Sequence, residues 1–87
     1  MKFKQEFVMR EVAGENIVIP LSGLGEQFNG IITLNETGAF IWKQIQNEQD
    51  KPAIVAALLD AYEVTPEQAA RSVDALCAQL ESLGILE

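Results

Sequence analysis

Histidine is absent from the 87 residues of this chain, cysteine and tryptophan occur once each, and Arg71 is the only base after Pro52. Each scarcity excludes a class of chemistry. Without histidine there is no imidazole general base, no imidazole metal ligand and no Ser–His or Cys–His nucleophile pair. The lone Cys77 forms no intrachain disulfide and no zinc site by itself, which fits a reducing cytosol. No Asp-rich run has the spacing of a calcium loop. Gly23-Leu24-Gly25 is too short for a phosphate-binding fingerprint, and no helix opens directly after it. The start, Met1-Lys2-Phe3-Lys4-Gln5-Glu6, lacks the apolar run of a signal peptide, and no apolar stretch approaches the roughly 20 residues that span a bilayer. A cytoplasmic protein with no cofactor and no membrane contact is expected. The 13 acids and 6 bases leave a net charge of −7, which opposes binding to nucleic-acid phosphates.

What is present reads as one folded α+β domain over residues 1–87. Hydrophobic residues make up 48%, enough for one core at this length. The first third carries strand signals, over about residues 6–13, 16–20 and 28–34. Ala13-Gly14-Glu15-Asn16 reads as a turn and Pro20 as a strand end, so the first two strands form a hairpin. Leu21 to Gln27 reads as a loop. In the third strand Phe28, Ile32 and Leu34 share one side and Ile31 and Thr33 the other.

After Leu34 the period changes from two to 3.6. Asn35 is placed to cap a helix over 36–46, with Ile41, Trp42 and Ile45 on one stripe. Asp50 caps a second over 51–62, with Ile54, Val55, Leu58, Leu59 and Tyr62 inward. Thr65-Pro66-Glu67-Gln68 is a capping-box start for a third helix over 66–84. Its stripe is Ala69, Val73, Leu76, Leu80 and Leu83, ended by Gly84 in left-handed geometry, with Ile85 and Leu86 tucked back on the core. Strands first and helices after imply helices packed on one face of an antiparallel sheet. Trp42 reads as a core anchor and Cys77 as a small buried hydrophobe. The scattered carboxylates form no paired constellation, so no enzymatic role is legible.

The stretch Ile32-Thr33-Leu34-Asn35-Glu36-Thr37-Gly38-Ala39-Phe40-Ile41-Trp42 closely resembles the central signature of the PqqD family, the peptide chaperones of pyrroloquinoline quinone biosynthesis. Arg10 to Glu15 and Leu80 to Leu86 also match that family's style, so the resemblance covers nearly the whole chain. It implies a winged helix-turn-helix fold of three strands and three helices. It also implies a recognition element for ribosomally made, post-translationally modified peptides. A precursor's leader segment would add as a strand beside the third strand, in the cleft to the third helix, and be presented to a peptide-modifying enzyme, often a radical S-adenosylmethionine maturase. On that arrangement the peptide backbone pairs with Ile31, Ile32 and Thr33. Its apolar side chains enter a groove floored by Val73, Leu76 and Leu80, with Cys77 near the wall and Arg71 and Asp74 at the rim. Which flank of the third helix faces the groove is left open, as is the choice between monomer and homodimer. The competing readings are a winged-helix DNA-binding regulator, disfavoured by a third helix with Arg71 as its only base, and a structural or oligomerisation subunit.

Overall fold

The computed structural model describes residues 1–4, 6–20 and 31–86. The order of elements is β1 (Phe7–Val12), β2 (Glu15–Pro20), β3 (Ile32–Leu34), α1 (Glu36–Gln46), α2 (Lys51–Ala61) and α3 (Pro66–Ser82). The strands form an antiparallel meander in the order β1-β2-β3, followed by the three helices, as expected. The loop expected over 21–27 and the first residues of the expected third strand, 28–30, lie outside the described residues.

The hairpin turn is tighter than the sequence suggests. Ala13 and Gly14 alone make it, with φ of 53° and 81°, and Glu15 and Asn16 already belong to β2. Two successive positive φ angles match the right-handed twist of the flanking strands. Ala13 adopts this conformation at a cost that glycine or asparagine would largely avoid.

Register then fixes the two faces of the sheet. Phe7 pairs with Pro20, Met9 with Val18, and Val18 with Ile32. These side chains, with Leu34, look toward the helices, and Phe7, Val18, Ile32 and Leu34 are buried. The alternate positions Val8, Arg10, Val12, Ile17, Ile19, Ile31 and Thr33 fall on the opposite face.

Each helix begins at the predicted cap. The Asn35 side chain accepts from the Gly38 N–H at 2.7 Å, and Asp50 accepts from the Ala53 N–H at 3.0 Å. At α3, Thr65 and Gln68 close a reciprocal capping box. The ends of α1 and α3 share one device. At α1, the Glu48 N–H bonds the Ile45 carbonyl and the Gln49 N–H bonds that of Gln44. At α3, Gly84 and Ile85 repeat the pattern on Glu81 and Leu80. Both are Schellman closures that need a left-handed residue. Gly84 takes φ 75° freely, whereas Glu48 takes φ 60° with a side chain in place.

Trp42 sits at the centre of the core, fully buried. Phe3 stacks on it at 4.3 Å and Phe7 meets it edge-on at 5.2 Å. Phe3 arrives there because the N-terminal segment bridges to Leu86 and the Lys4 N–H donates to the Ile85 carbonyl at 2.8 Å. The two termini thus close the core together, with Ile85 and Leu86 buried. Among the described residues the buried indole N–H of Trp42 has no acceptor, a cost of about 1–3 kcal/mol set against the apolar area and aromatic contacts that the ring gains.

Two expected core positions are corrected. Leu59 and Leu83 are 38% and 36% exposed. Leu59 lies on the outer side of α2, where the apolar composition runs round the helix and the periodicity cannot choose. Leu83 is the C-cap of α3, past the point where the stripe is held to the core. Cys77, fully buried, occupies the core at that end instead.

Candidate functional site

The sheet has an open edge where the candidate site lies, since β3 is hydrogen-bonded only to β2 among the described residues. An edge of this kind presents main-chain N–H and C=O groups in a row. Beside it runs a groove of about 310 Å³ between β3, the first turn of α1 and one flank of α3. Its floor is apolar, from Leu34, Ile41 and Leu76. Its walls carry only neutral groups: Thr33, Asn35, Thr37 and Gly38 on one side, and Ser72, Ala75 and Gln79 on the other. Among the described residues no ionisable side chain lines it.

The local sequence explains this shape. Asn35 must turn its oxygen back to cap α1, so the chain passes from extended to helical within one residue. Gly38 occupies the first turn because a Cβ there would meet the Asn35 Oδ1 at 3.1 Å and Leu34 carbons at 3.5 Å. Any larger residue would press on the cap and narrow the groove together.

The structure separates the residues expected at this site. Thr33 and Leu76 line the groove. Ile32 is on the edge strand with its side chain buried. Ile31 immediately precedes β3 and is 67% exposed. Val73, Cys77 and Leu80 do not form the floor. All three are fully buried, because they lie at the centre of the α3 stripe and point into the core. Asp74 is on the opposite flank of α3, where it meets Lys51 Nζ of α2 at 3.4 Å. Arg71 lines a shallow hollow with Glu63, Val64 and Gln68 that adjoins the groove through Ser72 and Ala75.

Of the α3 flank that faces β3, the sequence reading includes Leu76 alone and not Ser72, Ala75 or Gln79. Ser72, Ala75, Leu76 and Gln79 recur at steps of three, one and three, a stripe running beside the core stripe. Small and neutral residues at that spacing are the available signal. Hydrophobic periodicity passes over them because only Leu76 is strongly apolar.

Cys77 is chemically quiet. Burial pushes its thiol above the usual 9.0, and Glu81 and Asp74 push the same way, outweighing Lys51 and the N-terminal ammonium. Its sulfur lies 3.7 Å from that of Met1. Among the described residues no group of His, Cys, Asp or Glu could hold a metal ion, and no helix is long and apolar enough to cross a membrane. A second concavity, of about 710 Å³, opens on the hairpin side of α1 between Glu11, Glu15, Glu36, Phe40, Lys43 and Tyr62.

Two solved structures share this architecture. One, described as TbiB1 in complex with the TbiA(beta) leader peptide, is 22% identical, covers 100% of this chain and 95% of its own, and superposes with a TM-score of 0.78. The other, a lasso peptide synthetase B1 complexed with the leader peptide, is 20% identical, covers 95% of this chain and 92% of its own, and has a TM-score of 0.72. At those identities the likeness is one of fold. No curated protein sequence matches the chain. The family model for coenzyme PQQ synthesis protein D (PqqD) matches residues 9–86, nearly the whole length, and the chain belongs to the PqqD family.

Proposed function

We propose that this protein is a peptide-recognition module that binds the leader segment of a ribosomally made precursor and presents it to a peptide-modifying enzyme, a radical S-adenosylmethionine maturase being the class its family resemblance favours. The observation that carries the reading is the open edge of β3 lying directly beside a neutral groove with an apolar floor. An extended peptide satisfies the edge through its backbone, which demands little of its sequence. Alternate side chains then enter the groove and give selectivity. Backbone pairing plus a few buried side chains corresponds to micromolar to high-nanomolar affinity, about −8 to −9 kcal/mol. Both solved structures of the same fold are described as leader-peptide complexes, which supports the reading.

In this arrangement Ile31, Ile32 and Thr33 offer the backbone, Thr33 and Leu76 contact the peptide's side chains, and Arg71 lies close enough to meet a charge beyond the groove's end. A DNA-binding role is poorly supported. The charged side chains of α3 are Glu67, Asp74 and Glu81 against Arg71, and phosphate contacts need the opposite balance.

The test is to fill the groove without touching the core. Ala75 is exposed and Ser72 half-buried, so Ala75→Arg and Ser72→Arg should leave the unfolding midpoint nearly unchanged and weaken binding of its leader peptide at least tenfold. Unchanged affinity in both variants would remove the groove from the account.

A further inference from the structure

Among the described residues, no element covers the second face of the sheet. Val8, Val12, Ile17, Ile19 and Ile31 all project from it, by the register that pairs Val8 with Ile19, Arg10 with Ile17 and Ile17 with Thr33. Val12 is 52% exposed, Ile19 38% and Ile31 67%. With β-strands about 4.8 Å apart and about 3.3 Å per residue, two strands of six residues and one of three present a face of roughly 240 Å². A patch of that size is ordinary on a small soluble domain, so its position, and not its area, points to a function.

We propose that this outer face docks the enzyme that modifies the bound peptide, through an apolar patch on that enzyme bordered by Lys or Arg; the proposal rests on the peptide-binding reading above. Three observations select this occupant. The first is continuity. Ile31 and Thr33 belong both to the outer face and to the edge where the peptide adds. A strand laid on that edge extends the face and points every second side chain out onto it. A protein seated there therefore reads module and peptide as one surface, and holds the peptide's following segment near its own active site.

The second observation is charge. Among the described residues Arg10 and Glu15 are the only charged ones on the face, but its hairpin end borders the 710 Å³ concavity, where Glu11, Glu15 and Glu36 stand against Lys43. A basic border on the partner fits that end and is drawn to a chain of net charge −7, which steers encounter. The third is size. A stable dimer buries about 800 Å² on each partner, and roughly 240 Å² between two chains that repel each other falls well short. The same area suits a transient contact completed by the peptide strand.

The experiment uses the full chain, its leader peptide and the purified enzyme that modifies that peptide. Val12→Lys with Ile19→Lys replaces two exposed side chains outside the peptide groove. Val12→Ser with Ile19→Ser is the milder pair and carries the test if the lysine pair does not fold. The expected result is at least a tenfold loss of enzyme affinity for the lysine pair, a smaller loss for the serine pair, and leader affinity within twofold of the wild type. Enzyme affinity unchanged in folded variants overturns the proposal. So does a wild-type dimer in sedimentation that the variants abolish, because the face then belongs to a second copy. If the wild type fails to bind leader yet loses enzyme on these substitutions, the docking face stands and the peptide reading falls.

Discussion

Replacing Leu80 by Ala separates the core from the groove. Leu80 is fully buried and lies at the centre of the α3 stripe. The substitution removes three carbons. At about 0.8 kcal/mol per buried carbon the lost transfer energy is about 2.4 kcal/mol, and the cavity left in a close-packed interior brings the total to about 3–5 kcal/mol. A chain of this length has a total stability of about 4–13 kcal/mol, so the variant is left marginal. Trp42, the only tryptophan, is buried in the same core and reports unfolding by fluorescence. With a urea slope of about 1 kcal/mol per molar, the midpoint should fall by about 3 M or more. Leader affinity, measured at a temperature where the variant remains folded, should stay within about threefold. A loss of stability below about 1 kcal/mol would refute the packing argument. Normal stability with abolished peptide binding would return Leu80 to the groove floor, where sequence alone had placed it.

Further outcomes follow from backbone and titration. Ala13→Gly or Ala13→Asn relieves the left-handed strain in the hairpin turn and should raise stability by about 0.5–1 kcal/mol, read as a higher urea midpoint. Glu48→Gly should act similarly at the end of α1, since the exposed Lys2 ion pair it gives up, 3.6 Å long, contributes little. For Cys77 the folded state holds the thiol proton more tightly than the unfolded state, because burial raises the folded value above 9.0. Its contribution is complete below that pH and is lost as pH rises toward the folded-state value. The gap in urea midpoint between the wild type and Cys77→Ala should therefore narrow, or shift in favour of Ala, between pH 7 and pH 10, and a gap independent of pH would count against the burial.

Much of the fold was legible because its signals are local. Asn35, Asp50 and Thr65 each announce a helix start by a side chain that can reach its own backbone, and Gly84 announces a stop by tolerating positive φ. The strand order follows because strands consecutive in sequence tend to be neighbours in the sheet. Register was less accessible: the Ala13-Gly14 turn carries no asparagine, so the tighter hairpin was hidden behind a four-residue turn signal. The candidate site was half legible. An edge strand at β3 follows from a meander, but the flank of α3 facing it does not follow from a hydrophobic stripe, because the stripe marks what the core takes. Val73, Cys77 and Leu80 looked available for a peptide for the same reason that they are buried. Ser72, Ala75 and Gln79 carry little apolar signal, and only their position beside β3 gives them meaning. The stacking of Phe3 on Trp42 was also out of reach, since it depends on the two termini meeting.

The central claim, an added peptide strand on β3, is tested most directly by amide chemical-shift mapping of the labelled protein with its leader peptide. Shifts at saturation should concentrate on Ile31 to Leu34 and on the α3 flank at Ser72, Ala75, Leu76 and Gln79, with slowed amide exchange along β3. Saturating binding with those residues silent, and shifts gathered on β1 from Phe7 to Val12, would contradict the account by placing the peptide at the other edge of the sheet.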